Sequence, residues 1–194
     1  MAGDAELRVL GCLIEKQRTT PDQYPLSLNA LRLACNQTTN RDPVVSYDEE
    51  TVRTALARLS NRGWVRLASG AGSRAVKYRH LADEALSLSD AELSMLAVLM
   101  LRGPQTPGEL KQRTDRLYSF GSLGEAEETL ERLAARELVE RLPRRPGQKE
   151  QRYEHRLGDD EPRGGSPEPA RDRDLAARVA ALEERVSRLE ERAD

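Results

Sequence analysis

Apolar residues recur at helical spacing in four stretches of this chain. The four sets are Leu7, Leu10, Leu13 and Ile14; Val52, Ala55, Leu56 and Leu59; Leu93, Leu96, Ala97 and Met100; and Ala126, Leu130, Leu133 and Ala134. Intervals of three and four residues place each set on one face of an α-helix. The pattern therefore predicts an amphipathic helix in each stretch.

Capping residues mark the expected helix ends, where backbone groups lack hydrogen-bond partners within the helix. Four segments fit the capping box, in which a hydroxyl and a carboxylate three residues later each accept from a backbone N–H: Ser46-x-x-Glu49, Ser89-x-x-Glu92, Thr106-x-x-Glu109 and Ser122-x-x-Glu125. Pro107 suits the first helical position. Gly63 and Gly103 are typical of residues that end helices.

The pattern changes to that of β-strands after the third helix of each half. Val76 and Tyr78 alternate with Lys77 and Arg79, and a turn at Ser69-Gly70-Ala71-Gly72 separates them from Trp64 to Leu67. Such alternation around a glycine-rich turn predicts a β-hairpin. A second hairpin is predicted from Leu138 to Leu142 and from Gln151 to Leu157, around Pro146-Gly147. Trp64 and Tyr78 are expected to be core aromatics.

The two halves also repeat each other in sequence. Ala5-Glu6-Leu7 returns as Ala91-Glu92-Leu93, and Thr20-Pro21 returns as Thr106-Pro107, both 86 residues later. Three helices followed by a hairpin is the order of a winged helix-turn-helix. We therefore predict a mainly α fold with small β-hairpins, of the α+β class, in which two tandem winged helix-turn-helix domains occupy residues 1–84 and 85–157. The first copy carries about a dozen extra residues, within Pro25 to Tyr47.

The end of the chain differs from both repeats. Residues 158–172 have the composition of a linker. Residues 173–194 carry apolar residues at alternating intervals of four and three: Leu175, Val179, Leu182, Val186 and Leu189. This heptad pattern favours a parallel two-stranded coiled coil, and hence a homodimer. The alternative is an amphipathic tail helix that packs on its own domains.

Composition excludes several classes of protein. The longest apolar run, Met95 to Leu101, is too short to cross a bilayer, and the N-terminus does not resemble a signal peptide. We therefore expect a cytoplasmic protein that does not associate with a membrane. Cys12 and Cys35 both lie in helical, mostly apolar segments, where buried free thiols are expected.

Local charge in the first copy indicates contact with nucleic acid. The net charge is only −2, but Trp64 to His80 contains four basic residues and no acid. The third helix, Asp48 to Asn61, is the element that enters the major groove in helix-turn-helix proteins. The residues predicted to contact double-stranded DNA in this copy are Thr51, Arg53, Thr54, Arg58, Arg62, Arg74, Lys77 and Arg79. Asp48, Glu49 and Glu50 oppose this prediction at the start of the helix.

The second copy has a different charge pattern. Its third helix exposes Glu125, Glu127, Glu128 and Glu131, which would repel phosphate. We therefore do not expect this helix to bind DNA, and the segment 122–137 could instead bind a basic protein surface. Its hairpin could still contact the DNA backbone through Arg144, Arg145 and Lys149.

The sequence has no recognisable catalytic, cofactor-binding or metal-binding motif, so no enzymatic activity is expected. His80 and His155 end equivalent strands, where packing or a hydrogen bond at the strand end is expected. The segment Asn36 to Pro43 is expected to form an elaborate turn held by its own side chains. The alternative is that Asn40 and Arg41 contact a phosphate or a base.

Three blocks of this sequence resemble the YceH family of uncharacterised bacterial proteins. They are Leu10-Gly11-Cys12-Leu13-Ile14-Glu15-Lys16, Thr20 to Leu31 with Ala34 to Gln37 and Asn40 to Val44, and Leu99 to Leu110. The resemblance covers about residues 4–157 and implies a tandem winged-helix fold in a bacterial cytoplasmic protein. It implies no established activity, so it assigns no functional residue.

Together these observations predict a DNA-binding protein, a dimeric bacterial transcriptional regulator that contacts DNA through its first winged helix. The alternative is a protein–protein interaction adaptor built on winged-helix scaffolds. The acidic third helix of the second copy and the coiled-coil segment suggest this alternative.

Overall fold

The structure is a computed structural model that describes residues 2–68, 76–144 and 150–158. Within these ranges the chain forms seven α-helices and two small antiparallel sheets, so the predicted α+β class is confirmed. Several predictions concern residues outside the described ranges. They are the coiled coil at 173–194 with Leu175, Val179, Leu182, Val186 and Leu189, both hairpin turns, and the contacts of Arg74, Arg145 and Lys149.

The first repeat contains three long helices and a three-stranded sheet. Helix α1 spans Asp4–Thr19, α2 spans Leu28–Cys35 and α3 spans Glu49–Asn61. Strands β2 (Val65–Leu67) and β3 (Lys77–His80) form the predicted hairpin. The short strand β1 (Leu26–Ser27) was not predicted, and it pairs with β3 on the side opposite β2. A short helix, α4 (Ala82–Leu86), leads to the second repeat.

The second repeat has the same order of elements with shorter connections. Its helices are α5 (Asp90–Arg102), α6 (Pro107–Thr114) and α7 (Leu123–Ala135). Its hairpin pairs β4 (Val139–Arg141) with β5 (Tyr153–His155). Gln105 forms an isolated bridge to Tyr153, where the first repeat has strand β1.

The predicted helix ends are largely confirmed. Ser89 and Thr106 form complete capping boxes with Glu92 and Glu109. Ser122 caps α7 by accepting from the Glu125 N–H, but its box is incomplete because the Glu125 side chain accepts from the Gly121 N–H. Gly63 and Gly103 have φ values of 72° and 68°, a left-handed region that glycine adopts without strain. The capping box predicted at Ser46 is wrong, because Asp48 caps α3 and accepts from the Thr51 N–H at 2.8 Å. With Asp48 as the cap, Glu49 is the first residue of the helix and not the third, which is the position that the Ser46 capping box requires.

The structure also corrects one correspondence between the repeats. Thr106-Pro107 opens helix α6, whereas Thr20-Pro21 opens a single 3-10 turn over Pro21–Gln23. The residue of the first repeat that corresponds to Thr106 is Ser27, whose hydroxyl caps α2 by accepting from the Ala30 N–H. The extra residues of the first repeat therefore lie in two places, before α2 and after it.

One hydrophobic core runs through both repeats because their first helices pack against each other. Gly11 allows this close approach, since a Cβ built at that position would lie 3.0 Å from Leu101 Cγ. Cys12 and Cys35 are free thiols buried in this core, as predicted. None of the helices in residues 2–68, 76–144 and 150–158 combines the length and apolar composition needed to span a bilayer.

Candidate nucleic-acid interface

Helix α3 buries one face and exposes the residues that the sequence assigned to DNA. Val52, Ala55, Leu56 and Leu59 are all buried in the core. Arg53, Thr54, Ala57, Arg58 and Asn61 are exposed, and Thr51 is half-buried at the first turn. The predicted division between a core face and an outer face is therefore present in the structure.

Two arginines at the end of α3 share one buried carboxylate. Glu6 on α1 is only 3% exposed. Its oxygens lie 3.4 Å from Arg58 Nη1 and 3.2 Å from Arg62 Nε. A desolvated carboxylate requires such partners, because an unpaired buried charge is strongly destabilising. Glu6 therefore neutralises part of the positive charge that α3 would offer to phosphate.

The beginning of α3 is acidic. Hydrogen bonds from the hydroxyl and the backbone N–H of Thr51 lower the pKa of Asp48, so this carboxylate stays ionised. Glu49 and Glu50 are exposed and lie 4.0 Å and 3.9 Å from the guanidinium group of Arg53. This first turn of α3 carries more negative than positive charge, which disfavours contact with phosphate.

The first hairpin presents three basic residues on one face. Arg66 on β2 lies directly opposite Arg79 on β3. Lys77 is two residues from Arg79 and therefore projects from the same face. Arg79 forms an ion pair with Glu84 at 3.2 Å, whereas Arg66 and Lys77 have no carboxylate partner within the described ranges. We name Arg66, Lys77 and Arg79 the basic hairpin face.

The corresponding position of the second hairpin carries acids. Val65 pairs with His80 in the first hairpin, and Val139 pairs with His155 in the second, which aligns the two registers. The next pair outward is Arg66–Arg79 in the first hairpin and Glu140–Glu154 in the second. The charge at this position is therefore opposite in the two repeats.

The outer face of α7 in the second repeat is also acidic. Glu127, Glu128 and Glu131 on α7 are exposed, as predicted. Glu125 was also predicted to be exposed, but it is half-buried because it accepts from the Tyr118 hydroxyl and the Gly121 N–H. Glu131 forms an ion pair with Arg141 and accepts from the Tyr153 hydroxyl at 3.0 Å. Arg144 is exposed at the end of the described part of this hairpin.

Arg41 does not contribute to a nucleic-acid surface. Its alternative role, contact with a phosphate or a base, is therefore excluded. Its side chain is fully buried, and all five N–H groups donate within the protein. The acceptors are both oxygens of Glu15, at 3.0 Å and 2.6 Å, the Ala34 and Asn40 carbonyls, and the Gln37 side chain. Asn36 likewise holds the Tyr47 backbone through two hydrogen bonds of 2.8 Å. The segment Asn36 to Pro43 is therefore an elaborate turn held by its own side chains, as predicted. We name it the extra segment of the first repeat.

Sequence comparisons show the family to which this chain belongs. A family model described as "Protein of unknown function, DUF480" matches residues 3–148. The chain belongs to the DUF480 family. It is 53% identical over 158 residues to a UPF0502 protein from Opitutus terrae, covering 80% of this chain and 69% of that protein. It is 50% identical over 157 residues to the UPF0502 protein YceH from Escherichia fergusonii, covering 77% and 73%. The resemblance to the YceH family is confirmed.

One ion pair of this DUF480 protein was missed by the sequence analysis. Glu92 forms an ion pair with Arg136 at 3.7 Å, at the same positions of the second repeat as Glu6 and Arg62 in the first. The repeated Ala-Glu-Leu segments and the equivalence of Arg62 and Arg136 could have predicted this pair. Because both repeats have this pair, Arg62 has a structural role that does not require DNA.

His80 also has a structural role in this DUF480 protein. It is buried, and its Nε2 lies 2.6 Å from the side-chain oxygen of Gln17. Because an amide oxygen only accepts, Nε2 carries the proton. Burial lowers the pKa of His80 to about 4, so the ring is neutral at pH 7. This hydrogen bond is the structural role expected at the end of the strand.

No group of three or more metal-ligating side chains occurs in the part of the chain that the structure describes.

Proposed function

We propose that this protein binds double-stranded DNA through its first repeat and acts as a transcriptional regulator in the cytoplasm. In this proposal each repeat is a winged helix, and the basic hairpin face of the first provides the main contacts with the DNA backbone. The observation that carries the proposal is the Arg66–Arg79 pair with Lys77 beside it. Three basic side chains on one narrow face form a positive patch that would attract a phosphate backbone.

The energetics of the hairpin support a ligand of negative charge. Like charges directly opposite each other destabilise an antiparallel pair. Glu84 offsets this repulsion at Arg79 only. A phosphate bound on the basic hairpin face would accept hydrogen bonds from Arg66 and Lys77 and would reduce the remaining repulsion between the basic side chains.

In this proposal helix α3 supplies a second set of contacts with DNA. Thr54, Ala57 and Asn61 are exposed and small enough to allow close approach to base edges. Arg58 keeps 66% of its side chain exposed, so it can reach a phosphate from its position beside Glu6. The contacts of Arg53 and Arg62 are secondary in this proposal, because carboxylates already neutralise part of their charge.

A gel-shift titration of duplex DNA fragments with the purified protein tests the proposal. We expect binding that weakens steeply as salt increases and that is weaker in Arg58→Ala and Lys77→Ala. Lys111→Ala, which removes a positive charge from the second repeat, is the matched control and should bind like the wild type. Absent or salt-insensitive binding would refute the proposal.

The coiled coil at 173–194 would make the regulator a dimer. Sedimentation of the full chain measures this oligomeric state.

A protein-interaction adaptor is the second candidate function. The exposed Glu127, Glu128 and Glu140 of the second repeat support it, since they form a surface complementary to a basic protein. Affinity capture before and after nuclease treatment separates the two functions. A partner that is retained after nuclease treatment and lost in Glu127→Lys/Glu128→Lys favours the adaptor.

A further inference from the structure

A second cationic site lies away from the basic hairpin face. A cleft of about 360 Å³ opens between α1, the extra segment of the first repeat, α5 and α6. Three arginines line it: Arg102 at the end of α5, Arg113 on α6 and Arg116 beyond α6. Val98, Leu101 and Leu117 supply apolar lining. This volume is within the range of small-molecule sites, which combine apolar walls with a few polar groups.

The carboxylates near these arginines are already engaged. Glu15 lines the cleft, but both of its oxygens accept from Arg41, and Lys16 lies 3.5 Å away. Glu109 lies 3.4 Å from Arg113, yet it also forms an ion pair with Arg152 and accepts from the Thr106 N–H. The negative charge of Glu109 is therefore divided among three donors.

The other two arginines have no acidic partner in the described residues. Arg102 donates to the neutral side chain of Asn40. Arg116 is exposed and makes no ion pair or hydrogen bond within the described ranges. Burial and the charges of Arg113 and Arg41 lower the pKa of Arg102 and outweigh the opposite effect of Glu15, which means that the cleft disfavours further positive charge. About two positive charges are left for a ligand.

We propose that this cleft binds a phosphorylated small organic molecule. A phosphoryl dianion matches two uncompensated guanidinium groups, and each guanidinium can donate two parallel hydrogen bonds to its oxygens. The organic part of the ligand would lie on Val98, Leu101 and Leu117. Because Asn40 belongs to the extra segment and Arg102, Arg113 and Arg116 to the second repeat, this cleft gives that segment a role in ligand binding. The proposal does not depend on DNA binding by the first repeat.

Isothermal titration calorimetry of the full chain tests the site with a panel of phosphate monoesters, inorganic phosphate and citrate. We expect at least one monoester to bind, and Arg116→Gln to weaken that binding about tenfold or more, as expected for lost hydrogen bonds to a charged group. Arg156→Gln, which removes an exposed positive charge outside the cleft, should leave the affinity unchanged. Arg116→Gln should also leave the affinity for duplex DNA unchanged.

Three results would overturn the proposal. The first is that no monoester binds, or that the wild type, Arg116→Gln and Arg156→Gln bind the monoester with equal affinity. The second is that citrate binds more tightly than every monoester, which would assign the cleft to carboxylates. The third is that Arg116→Gln weakens DNA binding as much as it weakens monoester binding, which would assign the cleft to the DNA surface.

Discussion

Arg66 and Arg79 lie directly opposite each other across the first hairpin. Glu140 and Glu154 hold the same position in the second hairpin. The two repeats thus have one order of elements and opposite charge at one matched surface position. This difference motivates the proposal that the first repeat binds DNA and that the second does not.

Replacing Arg41 with Met should strongly destabilise the protein. Burial alone would raise the pKa of Glu15, but the hydrogen bond and charge of Arg41 lower it. Arg41→Met leaves this half-buried carboxylate without its bidentate partner and removes the hydrogen bond to the Ala34 carbonyl. We expect a loss of about 3 kcal/mol in the free energy of unfolding, measured with urea.

Arg53→Met is the matched control for this prediction. The ion pairs of Arg53 with Glu49 and Glu50 are exposed, so the variant should change stability by less than about 1 kcal/mol. Equal effects of the two substitutions would contradict the structural role assigned to Arg41.

Replacing Gly11 with Val should destabilise the contact between the repeats. A Cβ at this position would lie 3.0 Å from Leu101 Cγ and 3.3 Å from Met100 Cβ, and valine adds two further methyl groups. Overpacking of this kind costs about 1–3 kcal/mol, measured by urea denaturation. Gly108→Ala is the control, because a Cβ there meets no atom within 4 Å. A Gly11→Val variant as stable as Gly108→Ala would contradict the packing of α1 on α5.

Acidification should destabilise the protein through His80. The unfolded side chain binds a proton near pH 6.5, whereas burial lowers the pKa of the folded side chain to about 4. Between these values the unfolded state binds more protons, so stability falls as the pH decreases from 6.5 to 4. The expected loss is about 3 kcal/mol, at 1.36 kcal/mol per pKa unit between 6.5 and about 4.

His80→Gln provides the comparison for the pH dependence. A glutamine amide can still donate to Gln17, but it does not titrate. The free energy of unfolding of the variant should therefore depend less steeply on pH between 6.5 and 4 than that of the wild type. Equal pH dependence of the two proteins in urea denaturation would contradict the assignment to His80.

Local signals predicted most of the fold. The apolar periods of α1, α3, α5 and α7 and the complete capping boxes at Ser89 and Thr106 depend on neighbouring residues, and the structure confirms them. The mistaken cap at Ser46 shows the limit of such signals. The spacing of Ser46 and Glu49 matches a capping box, but Asp48, two residues after Ser46, caps the helix instead by accepting from the Thr51 N–H.

The candidate site was harder to predict because its electrostatics depend on distant residues. The sequence identified the exposed residues of α3, but the pairing of Arg58 and Arg62 with Glu6 joins α3 to α1. The basic character of Lys77 and Arg79 was visible in the sequence. The direct opposition of Arg66 and Arg79 became apparent only once the strand register was known.

The salt dependence of DNA affinity is the most direct test of the basic hairpin face. In fluorescence anisotropy titrations, each phosphate contact contributes about −0.9 to the slope of the logarithm of affinity against the logarithm of salt concentration. Arg66→Gln/Lys77→Gln should bind more weakly, with a slope shallower by about 2, while the control Lys111→Gln/Arg156→Gln should match the wild type. An unchanged slope in the hairpin variant, or the same change in the control, would contradict binding through the first repeat.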